Sequence, residues 1–553
     1  SRRQRQMCIR DSDNTNSLYT EKLYATSNPT LLENSKKGKY TETRGEERQT
    51  YGDVMLNISK TFKEKFALDA HIGASIKDNR FDELSVYGPI AGAPNIFNVV
   101  NLDKSQKKTP KTGWHEQTQS FFYSLELGWK SQLFVTTTGR NDWASQLANS
   151  PQKSFFYPSV GVSWLPSSTF NFPEKFNYLK IRASWASVAN PFPRELTIAT
   201  HPYDDTISGW DDKSNYPIGQ LYPERTKTWE LGFDARFLHG FTLSASWYRA
   251  DTYNQTFNPN LSASSGYSDI YIQTGHVRNT GVEASLGYDH QWKNWNWNSQ
   301  FTFSWNKNKI IELCKEWYNP ITEETITMNR LQISKLGRAK FILKEGGSMG
   351  DLYSTTDLRR DDKGNIEIDE GGNVVVEDNL PDMKLGSVFP DYNLAWRNSV
   401  SWKNLNLGFL VTARIGGIVN SLTQANMDLF GVSEATAAAR DAGGALVNGR
   451  SLVNPETWYT AIASQGGIPQ YYTYSATNVR LQDLSLGYTI PRKWLHNVCS
   501  ITVSFVGRNL WMMYCKAPFD PEAVASTNNF YQGMDYFMMP STRNLGFNIN
   551  IKF

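Results

Sequence analysis

The sequence predicts an all-β chain that folds as a transmembrane, antiparallel, up-and-down β-barrel. Three observations predict it. Apolar and polar residues alternate with period 2 in many separate segments. The connections between those segments alternate between short and long. No run of about 18 apolar residues occurs, which excludes a helical membrane protein.

Composition agrees. A chain of 553 residues is long for one soluble domain and ordinary for one large closed barrel. The net charge of +3 gives no electrostatic case for nucleic acid. Aromatic residues make up 13% without long apolar runs, as expected when only every second strand residue meets lipid and aromatic girdles mark its edges. A large secreted β protein would share this composition, so the periodicity and the connections have to decide.

The clearest strand is the last. Leu545, Phe547, Ile549, Ile551 and Phe553 alternate with Gly546, Asn548, Asn550 and Lys552. The same alternation recurs at Trp229–Phe237, Phe241–Tyr248, Val282–Asp289 and Leu405–Ile415, where Leu410 is the one lapse. About fifteen such strands are legible, most near the ten residues a tilted strand needs to cross a membrane. Their centres lie near 57, 71, 124, 135, 160, 183, 231, 245, 284, 300, 396, 410, 484, 503 and 548.

Connections near 63–64, 129–132, 165–177, 237–240, 289–294, 403 and 490–498 are short. Those near 77–117, 141–155, 189–224, 251–277, 307–389, 416–476 and 509–541 are long. Short periplasmic turns and long outer loops are the habit of transmembrane barrels. Closure is expected because an open sheet edge in lipid leaves backbone groups unsatisfied. No repeat of fixed period appears, which argues against propellers and β-helices.

The chain start reads differently. Gln6-Met7-Cys8-Ile9-Arg10-Asp11 resembles translated sequencing-adapter DNA, so residues 1–12 are set aside as one would a cloning scar. Residues 13–50 read as a polar loop or partial strand, and 51–553 as the barrel. An odd strand number suits a C-terminal fragment of a larger even-stranded barrel, with the natural gene continuing upstream.

Catalysis finds no support: no HExxH or P-loop is present, and the seven His are scattered. No cofactor or metal is expected. The acidic run from Asp361-Asp362 to Asp369-Glu370 lacks the carboxylate spacing of an EF-hand and reads as a hairpin with turns at Lys363-Gly364 and Gly371-Gly372. The four Cys show no CxxC spacing; Cys499 and Cys515 could form a disulfide, although few Cys at irregular spacing are more often free thiols.

Loop aromatics beside acids are the ligand candidates: Trp143 beside Asp142, Trp210 before Asp211 and Asp212, and Trp317-Tyr318 after Glu316. Aromatic faces stack on sugar rings and carboxylates accept hydroxyl hydrogen bonds. The alternative is that these Trp pack loops or sit at the membrane interface. The polar strand residues Arg182, Glu230, Asp234, Arg236 and Glu283 are expected to face the barrel interior.

A series of motifs in order resembles the SusC-like TonB-dependent transporters. The stretch from Asn478 through Leu486-Gly487-Tyr488 to Pro491 resembles that family's "LR-L-LGY-LP". Gly507-Arg508-Asn509-Leu510-Trp511 and Asp520-Pro521-Glu522 resemble "G-NLF/W" and "DPE". Tyr157–Trp164, Leu179–Trp185, Asn279–Glu283, Phe303–Lys309 and Gly386–Tyr392 resemble further family stretches, although Ala186 replaces the usual Gly. The resemblance implies a barrel of about 22 strands plugged by an N-terminal domain, in the Gram-negative outer membrane. It implies uptake of a large nutrient, oligosaccharide first and peptide as the alternative. TonB would supply energy through the missing N-terminal part, and a SusD-like surface lipoprotein would act as a lid. No segment matches the plug or TonB box, so this piece alone should not transport. Phe553 resembles the terminal aromatic read by the barrel-assembly machinery, so its removal is expected to lower the assembled yield. A non-transporting structural or adhesion barrel and a passive porin are the other classes.

Overall fold

The computed structural model describes residues 3–25, 36–194, 196, 203–204, 209–210, 221–258, 271–273, 275–319, 323–526 and 531–553. Sixteen strands belong to one antiparallel sheet and follow in chain order. They are β1 (Arg3–Tyr24), β2 (Gly38–Phe62), β3 (Phe66–Pro89), β4 (Lys111–Trp129), β5 (Leu133–Ala144), β6 (Phe155–Trp164), β7 (Phe176–Asn190) and β8 (Glu224–Phe237), then β9 (Phe241–Tyr253), β10 (His276–Gln291), β11 (Trp295–Glu312), β12 (Tyr392–Trp402), β13 (Leu405–Ile415), β14 (Asn478–Ile490), β15 (Ser500–Cys515) and β16 (Asn544–Lys552). All fifteen centres read from periodicity fall inside β2 to β16. The strand that periodicity missed is β1. It lies in the stretch set aside or read as polar, because Arg3–Tyr24 has no apolar alternation to signal it.

The alternation of connections holds, with one levelling: 145–154 on the long side is no longer than 165–175 on the short side. At the Leu410 lapse the β13–β14 register shifts, but the extra residue is Gln482 on β14, so β13 keeps its alternation and Leu410 stays on the polar face opposite Arg397 and Asp483.

The chain divides into two compact units. The first comprises Ser1–Val162, Trp185–Lys227 and Asn260–Gln273. Its register puts Val54, Ala74 and Phe121 in one cross-strand row, and Gly52, Ile76, Gln119 and Trp143 in the next. These rows share an apolar face that begins at Phe66 and Trp129 and ends at Ile76 and Trp143. Ten residues at ~3.3 Å span about 33 Å along the strand; at the usual barrel tilt this gives a band about 25 Å tall. The opposite face carries the row Asp53, Ser75, Ser120 and Asp142.

The second unit comprises Ser163–Ser184, Thr228–Pro259 and Thr274–Phe553. Its apolar face includes Phe301, Trp396, Phe409, Leu486 and Phe505. One polar pair interrupts that face. Asn398 and Ser299 are opposite each other in register, and Asn398 is buried. Trp297 Nε1–H donates to Asn398 Oδ1 at 2.9 Å, Trp396 Nε1–H donates to Ser299 Oγ at 3.0 Å, and Asn398 Nδ2 donates to the same Oγ at 3.1 Å. Two indoles thus satisfy a polar pair on an otherwise apolar surface.

Cys499 and Cys515 are not joined to each other. Cys499 precedes the first residue of β15 and Cys515 is its last, so about fifteen extended residues, roughly 50 Å, separate them. The disulfide considered from sequence is therefore not formed.

Candidate functional site: the polar face and the loop body

In the second unit the polar residues form continuous cross-strand rows. Ser246, Glu283, Ser304, Asn393 and Arg414 stand opposite one another in succession from β9 to β13. Ser244, Ser285, Thr302, Ala395 and Thr412 form the adjacent row. Period-2 alternation puts all ten on the face opposite the apolar one. They line a recess of about 540 Å³, with Arg182 at one side and Glu522 at the other. Six hydroxyls and one amide among these ten side chains can both donate and accept hydrogen bonds.

The charged members are fixed by neighbouring strands. Arg182 donates to Asp234 at 2.7 Å and lies 3.6 Å from Glu230. Glu230 and Asp234 flank Gly232, and the guanidinium passes over that glycine. Asp234 also accepts from Ser244 Oγ at 2.6 Å. Arg236 instead lies over the Tyr178 ring, 5.1 Å from its centroid. Arg414 donates to the Val388 carbonyl at 2.8 Å. Glu522 reaches the recess from the connection 516–543 and is held by Arg480 at 3.2 Å. Arg480 is buried and binds Asp520 through two nitrogens, at 2.8 and 3.1 Å. Burial pushes the Asp520 carboxyl up, but the Arg480 bonds and the Glu522 N–H outweigh it, and the net shift is downward. The motif residues Arg480, Asp520 and Glu522 are thus one ion cluster, a link the sequence could not reveal because forty residues separate its halves.

The long connections 313–391, 416–477 and 516–543 of the second unit carry structure of their own. A four-stranded sheet joins Arg330–Leu336, Ala339–Lys344, Asp351–Ser354 and Met383–Ser387. A three-stranded sheet joins Ile418–Ser421 to Thr473–Ser475 and Met534–Asp535. Helices α1 (Leu422–Leu429), α2 (Glu434–Asp441) and α3 (Pro455–Ala463) each begin at a side-chain cap: Ser421, Ser433 and Asn454. Phe341, Leu352, Val388, Leu422 and Met534 form one buried core, and Leu358, Ala425, Ile462, Ile468 and Tyr472 another. Tyr472 is buried and its hydroxyl donates to Asp428 at 2.9 Å. Burial, then the Asp428 charge, pushes the Tyr472 phenol well above its ordinary value and the nearby Tyr474 phenol up to about 12. Asp382 accepts from Arg330 at 2.5 and 2.8 Å and from Lys344 at 2.9 Å. The Arg330 guanidinium, with Lys344, holds its carboxyl well below the usual carboxylate range.

The acidic run forms its own turns. Asp361 accepts from the Lys363 and Asn365 backbone N–H groups at 2.9 and 2.8 Å, and Asp369 from Asn373 N–H at 2.7 Å. Gly364 and Gly372 take the positive φ that these turns require.

Trp143 is not in a loop. It is the penultimate residue of β5 and sits exposed on the apolar face, in the last apolar row before Thr50, Asp78 and Gln117. Asp142 points to the opposite face, where it is buried and binds Arg140 at 2.7 Å and the Tyr157 hydroxyl. The pleat therefore separates the aromatic from its neighbouring acid, and this placement matches the membrane-interface alternative. Trp210 pairs through its backbone with Tyr203 in a two-residue ladder, and Trp317 with Ile326 in a hairpin. Their side chains, and Asp211 and Asp212 altogether, lie outside the described residues. Phe553 follows β16 and is exposed.

Known proteins resemble the chain along most of its length. A family model described as "TonB dependent receptor-like, beta-barrel" matches residues 9–510. TonB-dependent receptor P3 of Formosa agariphila is 26% identical over 94% of this chain and 55% of its own. TonB-dependent receptor SusC of Bacteroides thetaiotaomicron is 21% identical over 68% of this chain and 38% of its own. The chain spans about half the length of the curated relatives it matches. Among solved structures, the RagAB peptide importer in its open-open state superposes with a TM-score of 0.78 at 17% identity, covering 100% of this chain and 59% of that one. The strand order, the two-faced alternation and the match over 9–510 lead to one assignment: the chain belongs to the TonB-dependent receptor-like β-barrel family, proteins of the outer membrane.

Proposed function

We propose that this chain forms the wall of an outer-membrane importer of large hydrophilic nutrients, with oligosaccharides as the first substrate class. The observation that carries the reading is the mostly polar face that β9 to β13 present in the second unit. Two adjacent rows made chiefly of Ser, Thr and Asn side chains line a recess, and the flanking Arg182 and Glu522 are ion-paired with neighbours. Such a face suits hydroxyl-rich cargo that exchanges one hydrogen-bond partner for the next. The motif series resembling SusC-like transporters supports the same class. In this reading TonB energises uptake, and a SusD-like lipoprotein covers the long connections, which fold as an ordered body beside the recess.

Peptide import is the second reading, favoured by the fold likeness to the RagAB peptide importer. One experiment tests both. A strain lacking the gene, and the same strain complemented with the full chain, are grown on oligosaccharides and on peptides as sole nutrient. Loss and rescue on oligosaccharides alone supports the first reading, and on peptides alone the second. No growth or uptake defect on either would overturn import and leave a structural or adhesion role.

A further inference from the structure

The seven short connections differ in charge from the rest of the chain. They hold eight Lys and Arg residues against two acids, a net of +6 in a chain whose total is +3. In the first unit the charge sits in two adjoining turns. Lys63 and Lys65 flank Glu64 in one, Lys130 opens the other, and Lys130 N–H donates to the Lys65 carbonyl at 2.7 Å. In the second unit Lys293 and Lys403 occupy turns joined by the Lys403 N–H bond to the Asn294 carbonyl at 2.9 Å, and Arg492-Lys493 lie in the connection after β14. Among the described residues none of these cations has an ion-pair partner within 4.0 Å.

Each of these lysine turns borders an aromatic residue. Phe62-Lys63, Trp129-Lys130, Trp292-Lys293 and Trp402-Lys403 put a ring just before the cation, and all four rings are exposed. Lys130 Nζ lies 5.0 Å from the Trp129 ring centroid and Lys403 Nζ 5.1 Å from that of Trp402. The backbone gives no reason for lysine here. Lys63, Lys130 and Lys403 have φ of 47°, 50° and 51°, the left-handed region that Asn or Gly occupies with less strain. What lysine adds is a cation on a flexible stem at the rim of the apolar band.

We propose that the short-turn end of the sheet binds the phosphate headgroups of anionic phospholipids in the leaflet it faces. The rings sit at the boundary of the hydrocarbon, and the ammonium groups reach past them to the phosphate level. The attraction amounts to about a five-fold gain in affinity for each cation near a charged surface and decays within a Debye length. The inference rests on the outer-membrane assignment and is independent of the substrate.

The test inserts the full chain into vesicles of phosphatidylcholine alone or with phosphatidylglycerol mixed in, and measures the partition constant. The native protein should favour the anionic vesicles, and added salt should erase the preference. Lys63→Gln, Lys130→Gln and Lys403→Gln should each lower partition about five-fold in anionic vesicles only, and Lys→Arg at the same sites should restore it. Lys→Asn guards against misfolding: it relaxes the turn, so insertion into phosphatidylcholine should hold or improve while the anionic preference falls. Equal partition of the native protein into both vesicles would overturn the proposal. So would Asn variants that keep the preference, the result expected if the cations serve an acidic protein segment instead. Suppression of the preference by inorganic phosphate at matched ionic strength would reassign the turns to soluble anions and also overturn it. Growth and uptake assays do not enter, so failure of the import reading leaves this outcome separate.

Discussion

The guanidinium of Arg182 crosses Gly232 so closely that a Cβ on that glycine would lie 2.8 Å from it. Glu230 and Asp234 then reach the cation from either side. An ordinary Gly→Ala change in a strand gains a few tenths to 1 kcal/mol. Here the displaced ion pairs should reverse the sign, and Gly232→Ala should cost about 1–3 kcal/mol. Urea unfolding of the vesicle-inserted protein measures it; a stabilised variant would mean that the arginine swings away freely.

The Asn398–Ser299 pair should answer differently to single and paired changes. Trp297→Phe removes the donor to Asn398 Oδ1 and leaves a buried carbonyl unmatched, at about 1–3 kcal/mol. Removing both polar groups together, Asn398→Leu with Ser299→Ala, should cost less than the sum of the single changes. Additive losses in the same unfolding assay would refute the coupling.

Acid should loosen the loop body at Asp382. Its folded carboxyl is held below its unfolded value, so its stabilising contribution is complete above about pH 3.9 and fades as pH falls toward the depressed folded value. Asp382→Asn removes that pH dependence and exposes the 313–391 connection to protease already at neutral pH. Identical digestion of variant and native protein across the acid range would place the stability of this loop elsewhere.

Trp143→Ala should leave nutrient affinity unchanged, since the ring lies on the apolar face. Lipids brominated in their acyl chains should quench a component of the native fluorescence that the variant lacks. Reduced affinity, or no difference in quenching, would contradict the placement.

Much of the sheet was legible in the sequence because a half-buried strand advertises itself in a period of two. Leu405–Ile415 and Leu545–Phe553 did so plainly. β1 did not, since Arg3–Tyr24 carries no alternating apolar face, although it pairs with β2 along its whole length. The site was less legible. Arg182, Glu230, Asp234 and Glu283 could be assigned to a polar face, but which charges meet depends on register between strands, and no single strand encodes register. Trp143 and Asp142 looked like a pair because they are adjacent in sequence, whereas in a strand adjacency means opposite faces. Apart from the turns at Lys363-Gly364 and Gly371-Gly372, the hairpins and helices between Arg330 and Ala463 did not announce themselves, being short elements stabilised by contacts across three separate connections.

Those three connections share buried side chains. Leu422 and Met534 meet in one core, and Ser421 Oγ donates to Asp535 at 2.5 Å across 114 residues. A substitution that alters the outward surface of one connection must therefore remain compatible with the interior of the other two. Variation in what this face meets should be inherited as a block: chimaeras exchanging all three segments between relatives should assemble, while exchanges of one segment alone should leave an ill-fitting interior.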